Sequence, residues 1–215
     1  MKYRIHSYRH AGYLFSSLEE YAYEWSELLD CLDSISDEMI AHKFEGSSRK
    51  AKSISEAINR LIKVEMEERG WAAESYIFAD PEYAAQAKGT WRLDFAKNNL
   101  SVEVAFNHRS DISWNLIKPT LASELNHVDK ALQTSGGIII CATEDMKAAG
   151  GFDNAIGTFE DYVQYLRPMS TILSAPLAII GLEAPETFHI KHRLVGGKKQ
   201  GHVIWEQVNF PENAD

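Results

Sequence analysis

Asp94 and Glu103 fall at one rung of a predicted β-hairpin, carboxylate against carboxylate with nothing basic between them. The segments Thr90-Trp-Arg-Leu-Asp-Phe-Ala and Ser101-Val-Glu-Val-Ala-Phe-Asn both alternate apolar and polar residues, the period of a half-buried strand. Lys97-Asn98-Asn99 between them offers two turns. One is a two-residue Asn98-Asn99 loop, since paired asparagines tolerate the positive φ of a type I′ turn; the other is a three-residue loop. The two-residue loop pairs Lys97 with Leu100, Phe95 with Val102, Leu93 with Val104 and Trp91 with Phe106, so one face is apolar throughout. It also sets Asp94 opposite Glu103, with Cβ atoms roughly 4.5–5.5 Å apart. Like charges so placed repel unless a proton or a cation lies between them. A divalent cation held by oxygen ligands is the natural resolution, and the chemistry implied is metal-assisted. The plainer reading is an acidic pair on a solvated strand face. A lysine ammonium in the gap, or side chains on opposite faces of the sheet, would argue against a metal.

The elements around the hairpin must position that pair. Before it the chain reads as helical. Ser17-Leu-Glu-Glu is a capping-box pattern, followed by Leu18, Tyr21, Ala22, Trp25, Leu28, Leu29 and Leu32 at helical spacing. Met39 to Ser48 reads as a loop. A second capping box, Ser53-Ile-Ser-Glu56, opens a helix with Ile54, Ala57, Ile58, Leu61 and Ile62 inward, and Gly70 stops it. After the hairpin, Trp114, Ile117, Leu121, Leu125, Val128 and Leu132 form a helical stripe, with Pro119 at a start or a kink. Gly136 to Ala142 and Pro176 to Leu182 are short apolar runs suited to strands buried on both faces, with a helix from Thr158 to Pro168 between them. The expected architecture is α/β: a mixed central β-sheet flanked by helices. Pro211 to Asp215 reads as a loose tail.

At 215 residues the chain has room for a full core. No apolar run approaches the roughly 20 residues needed to cross a bilayer, and the start lacks the apolar stretch of a secretory signal. Cys31 and Cys141 are the only cysteines, far apart and in apolar settings, which argues against a disulfide framework or a zinc site. A cytoplasmic protein is expected. The net charge of −9 argues against indiscriminate nucleic-acid coating, yet the charge is uneven. Ser16 to Glu38 carries eight acidic residues and no basic one, a helix surface facing solvent. His42 to Lys63 and His189 to His202 are basic, the latter through Lys191, Arg193, Lys198 and Lys199, which leaves room for a polyanionic partner.

A mixed sheet whose antiparallel strands carry two metal-binding carboxylates is similar to the PD-(D/E)xK nuclease core. A longer string is more specific: Gly70-Trp-Ala-Ala-Glu74, Arg92-Leu-Asp94-Phe, Val102-Glu103-Val-Ala105-Phe, and Leu121-Ala-Ser-Glu-Leu-Asn-His127. Together these resemble the BglII/BstYI family of type II restriction endonucleases, over about residues 70–182. The resemblance implies a single restriction-endonuclease-like domain over 1–215, with a helical part at 1–69, a catalytic core at 70–182 and a C-terminal segment at 183–215. It implies a homodimer that uses Mg²⁺, or Mn²⁺ in its place, to cut both strands of a short palindromic double-stranded DNA site, with a GATC centre as one option. A companion DNA methyltransferase would belong to the same system. Carried over, Asp94, Glu103 and the Val104 carbonyl bind the metal. Glu74 matches an upstream active-site position, though an exposed loop glutamate is as good an account. Asn107 and His108 match side chains that touch base edges. Gly150-Gly-Phe-Asp153-Asn154 resembles a second recognition loop or is a structural glycine turn, and Lys191 and Arg193 would meet DNA from the C-terminal segment. The helix from Trp114 to Leu132 resembles a dimer-interface helix, unless its stripe simply faces the sheet.

One position departs from the pattern. Relatives carry Gln, Glu or Lys two residues after the glutamate, where a polar side chain orients the attacking water; here that residue is Ala105. Asn107 on the same strand face, or His108, takes over; or metal and phosphate suffice; or Ala105 is an inactivating substitution. Two other functions stay open: a DNA-binding protein of this fold that no longer cuts, and a structural α/β protein whose acid pair binds Ca²⁺.

Overall fold

Two all-apolar strands form the centre of the molecule. The computed structural model describes residues 1–47, 51–84, 90–124 and 128–206. In it β5 (Gly136–Ala142) and β6 (Leu177–Leu182) are buried along their whole length. Their residues alternate between two helical layers. Ile138 and Ile140 join a cluster with Phe15, Leu28 and Ile58; Ile139 and Cys141 join another with Ile112, Leu116 and Tyr162. Burial on both faces is what an uninterrupted apolar strand requires.

Around that centre, the described residues form a six-stranded sheet in the order β1-β6-β5-β4-β3-β2. β4 (Leu100–Val104), β5 and β6 run parallel, while β1 (Tyr3–Tyr8), β2 (Ala72–Tyr76) and β3 (Arg92–Lys97) are antiparallel to their neighbours. Helices α1 (Ala11–Ser17), α2 (Glu19–Ser34), α3 (Asp37–Glu45) and α4 (Ser55–Glu68) contribute to the first layer. A short α5 (Pro81–Ala84) follows β2. On the other face lie α6 (Ile112–Ser123) and α8 (Phe159–Leu166), with α7 (Glu144–Ala149) directly after β5. A separate antiparallel hairpin, β7 (Phe188–Val195) and β8 (Lys198–Trp205), completes the described chain. No described helix is long and apolar enough to cross a membrane. Cys31 and Cys141 are buried and free.

The mixed, helix-flanked sheet is the one expected, and so are β3–β4, β5, β6 and α8. Thr158 and Asp161 close a reciprocal capping box on α8. Several local expectations fail. The first residues are not helical but form edge strand β1 against β6. Ser17 ends α1 and leaves Leu18 at the N-terminus of α2 without a side-chain cap; Ser53 bonds Ser55 and caps nothing. Met39 to Glu45 is helical rather than a loop, because Ser36 accepts from the Met39 N–H and opens α3. Helix α6 ends at Ser123, so Val128 and Leu132 lie beyond it; Leu125 to His127 and the tail from Pro211 lie outside the described residues.

Pro119 sits inside α6. It packs on β5, where a Cβ added to Gly137 would come within 2.3 Å of its ring. Glycine at 137 therefore allows helix and strand to approach closely, and that approach sets where the other side chains of α6 fall.

Candidate active site

The β3–β4 hairpin has the two-residue turn. Lys97 pairs with Leu100, Ala96 with Ser101 and Phe95 with Val102, and Asn98 takes a φ of 47°. The ladder then stops. In place of rungs at Leu93–Val104 and Trp91–Phe106, the Asp94 carboxylate turns in and accepts the Val104 N–H at 2.7 Å. A backbone group that would have continued the ladder is satisfied by a side chain, and the strands part where chemistry was expected.

Asp94, Val104 and Glu74 line one cleft of about 150 Å³, together with Asn59 and Lys63 of α4. Glu74 lies in β2 with a φ of 54°, interrupting the β2–β3 pairs between Ala73–Phe95 and Ser75–Leu93. That is a costly conformation for a non-glycine residue, and such strain gathers at functional positions. Glu74 is exposed and pairs with Arg92 at 3.0 Å.

Glu103 lies on the α6 side of β4 and is only 2% exposed. The expectation of nothing basic beside the pair is corrected here: the Lys118 ammonium of α6 donates to Glu103 Oε2, and to the Arg92 carbonyl at 3.2 Å. Glu103 Oε1 is buried and has no hydrogen-bond partner among the described residues. Burial pushes the Glu103 carboxyl up to about 8; Lys118 and the Asp94 backbone N–H pull it down without winning, and the Asp94 charge adds to the rise. Asp94 is raised too, mainly by burial, against the Val104 N–H bond and the Lys118 charge. Both carboxyls resist ionisation, chiefly because they are buried.

The Lys118 ammonium beside Glu103 counts against a metal by the criterion stated above, and Glu103 does not line the cleft that Asp94 opens to; two oxygen donors are still left for a hard divalent cation. Asp94 opens to a cleft, Glu103 Oε1 lacks a partner, and both are oxygen donors. The protein would offer it few side chains: no group of three or more His, Cys, Asp or Glu among the described residues could hold a metal ion. Backbone carbonyl and water would complete the shell, as Mg²⁺ commonly prefers.

Asn107, expected beside this pair as catalyst, bonds elsewhere. Its Oδ1 accepts from Asn115 Nδ2 at 3.0 Å, and Asn115 also donates to the Tyr162 hydroxyl at 2.7 Å. Ala105 is buried against Ile112, Leu116 and Tyr162. The base-reading candidates do converge. Arg109 N–H donates to the Ala155 carbonyl and Gly157 N–H to the Asn107 carbonyl, with a β-bridge between His108 and Ile156. The segments holding exposed Asn107 and His108 and exposed Asp153 and Asn154 are thus joined by backbone bonds just beyond the C-terminal ends of β4 and β5, the edge where α/β sheets bind ligands. Asp153 and Asn154 line a second cleft of about 530 Å³ with Lys52, Lys147, His192 and Lys199. Lys191 and Arg193 are exposed on β7.

Sequence reasoning missed Lys118, Arg92, Asn59 and Lys63. Lys118 left a trace as the only charge in α6, while Arg92 stood in the family-like string and Lys63 in a basic stretch, neither as a site residue.

The family model for restriction endonuclease BglII/BglIII matches residues 3–182. The chain belongs to that family. By family and fold it is a BglII-like type II restriction endonuclease, a class of site-specific nucleases that generally use a divalent metal. The crystal structure of restriction endonuclease BglII complexed with a DNA 16-mer has a TM-score of 0.65 to this chain at 18% identity. Free BglII has a TM-score of 0.53 at 19% identity. Each comparison covers 96% of this chain and 100% of the other. At such identity the likeness speaks for the fold. No curated protein matches the chain.

Proposed function

We propose that the protein hydrolyses one phosphodiester bond in each strand of a short palindromic DNA site, depends on Mg²⁺, and works as a homodimer. The observation that carries this reading is the acid pair at the open end of the β3–β4 hairpin, with a buried Glu103 oxygen left unbonded. A palindrome cut in both strands calls for two sites related by a two-fold axis, hence the dimer. A GATC centre, a companion methyltransferase, a cytoplasmic setting and a single domain belong to the same proposal.

Bound metal would supply Lewis acidity at phosphorus and a more acidic water. The chain does the rest. Asp94 and Glu103 would hold the cation with the Val104 carbonyl, and Glu74 would border the cleft beside them. Asn107 and His108, with Asp153 and Asn154, would face base edges, and Lys191 and Arg193 would meet phosphates. In the reaction water bonds to phosphorus, the P–O3′ bond breaks, and the products carry a 5′-phosphate and a 3′-hydroxyl.

Digestion of phage DNA with Mg²⁺, followed by sequencing of the fragment ends, tests activity, site and stagger together. Discrete ends are expected; a folded protein that yields none in Mg²⁺ or Mn²⁺ would sink the catalytic reading. Ala105 favours a second reading, a selective DNA binder that does not cut, because a buried methyl group cannot hold water. Tight selective binding without cleavage in either metal would establish it. A further check concerns Arg193→Ala, which should flatten the salt dependence of duplex binding by about one phosphate contact.

A further inference from the structure

Where the strand has no polar side chain at 105, helix α6 brings a charged one close to the acid pair. Ala105 presents only a methyl group to α6, and it packs with Ile112 and Leu116 of that helix. The small side chain lets α6 lie close over the end of β4, as Gly137 lets it lie close over β5. Three residues beyond Asn115, on the same side of α6, Lys118 reaches the acid pair. Its side chain is 11% exposed, and its ammonium is matched by one oxygen of Glu103 and the Arg92 carbonyl. A buried ammonium is costly unless paired in this way.

We propose that Lys118, reaching in from helix α6, holds Glu103 in place for the divalent cation at a site where strand β4 carries only Ala105. It is a positioning residue. By holding Glu103 through Oε2 it leaves Oε1 for the divalent cation, and its charge offsets one of two crowded carboxylates. In the hydrolysis the water gives a proton to solvent and the departing 3′-oxygen takes one up; Lys118 lends hydrogen bonds and charge and exchanges no proton. The inference rests on the nuclease reading above and adds a residue to it.

The test uses the full chain and a duplex containing the site found by digestion. Lys118→Met should slow single-turnover cleavage by about tenfold to a hundredfold, the scale of losing a group that orients a metal ligand. Duplex affinity in Ca²⁺ should change by no more than a few-fold. Ala105→Lys added to Lys118→Met should recover at least about tenfold, which a merely structural lysine would not allow. If melting shows Lys118→Met unfolded, Lys118→Gln takes its place with the same expectation. Cleavage at the parental rate in a folded variant, with Asp94→Asn inert, overturns the role of Lys118 and leaves the nuclease reading standing. A parent that is inert until Ala105→Gln is introduced does the same. Inertness of the parent and of Ala105→Gln overturns both.

Discussion

The two ends of the β3–β4 hairpin are built on opposite principles. At the turn, polar groups find partners. Lys97 donates to Glu27 at 2.6 Å and to the Arg69 carbonyl at 2.7 Å. Asn98 donates to Glu24 at 2.5 Å, and Asn99 donates to the Glu20 carbonyl at 3.1 Å. At the other end the ladder stops, two carboxylates crowd one lysine, and Trp91 Nε1, Arg92 Nε and Glu103 Oε1 are buried without hydrogen-bond partners among the described residues. Buried polar groups are normally satisfied; Trp71 Nε1 and Thr134 Oγ1, close in sequence to residues that meet the turn end, are orphans as well, so it is the unbonded acid oxygen that sets the open end apart. The turn end is finished by folding; on the function proposed above, the open end is left for a ligand.

The sharpest way to break this contrast is to disarm the open end. Asp94→Asn keeps an oxygen able to accept the Val104 N–H but loses the charge. Cleavage should fall by at least about a hundredfold, since metal placement is worth several kcal/mol at the transition state. The melting temperature should hold or rise, because a carboxyl that burial holds back from ionising is replaced by a neutral amide of the same shape. A large loss of stability with cleavage intact would reverse the assignment of the two ends.

Next in size is the pH response of the same end. The Glu103 carboxyl is raised from 4.5 to about 8, first by burial. Between those values the folded protein keeps a proton that the unfolded chain has lost, so this group stabilises most below about 4.5 and that contribution disappears as pH climbs through about 8. Metal-free protein should therefore melt lower at pH 9 than at pH 6, and Glu103→Gln should flatten the difference. Metal binding must expel the proton, so affinity for Mg²⁺ should strengthen up to about pH 8. A melting temperature independent of pH in that range, identical for parent and variant, would remove the electrostatic basis of the open end.

Much of the hairpin was legible because its cause is local. Period-two alternation points to both strands and Asn98-Asn99 to one of two possible turns, and the apolar runs of β5 and β6 suit buried strands. What could not be read depends on distant chain. Lys118 meets Glu103 across fifteen residues only because Pro119 seats α6 on Gly137. β1 carries Arg4 and His6 on a half-exposed edge, so its alternation does not separate core from surface. The acidic face of α2 reads as solvated, yet Glu24 is 5% exposed and holds the turn. Charge in sequence shows neither its partner nor its depth.

The turn end offers the converse experiment. Glu24→Ala removes the acceptor of the Asn98 amide and should cost about 1–3 kcal/mol in chemical denaturation, the penalty for an unmatched buried group. Single-turnover cleavage by the folded fraction should stay within about twofold of the parent, because α2 reaches the hairpin at the end remote from Asp94. Loss of rate out of proportion to loss of fold would mean that the ends communicate.

The smallest effect belongs to Asn98→Gly, where two terms oppose. Glycine relaxes the φ of 47° at no steric cost, worth a few tenths of a kcal/mol, but abandons the bond to Glu24. The net loss should be about 1 kcal/mol or less, below that of Glu24→Ala, since water can reach the carboxylate once the amide is gone. The double variant should be no less stable than Glu24→Ala alone, because after the acceptor is removed glycine keeps only its gain. Strict additivity of the two losses would show that the amide and the carboxylate act separately, and that the turn is closed by backbone geometry instead of by its contact with α2.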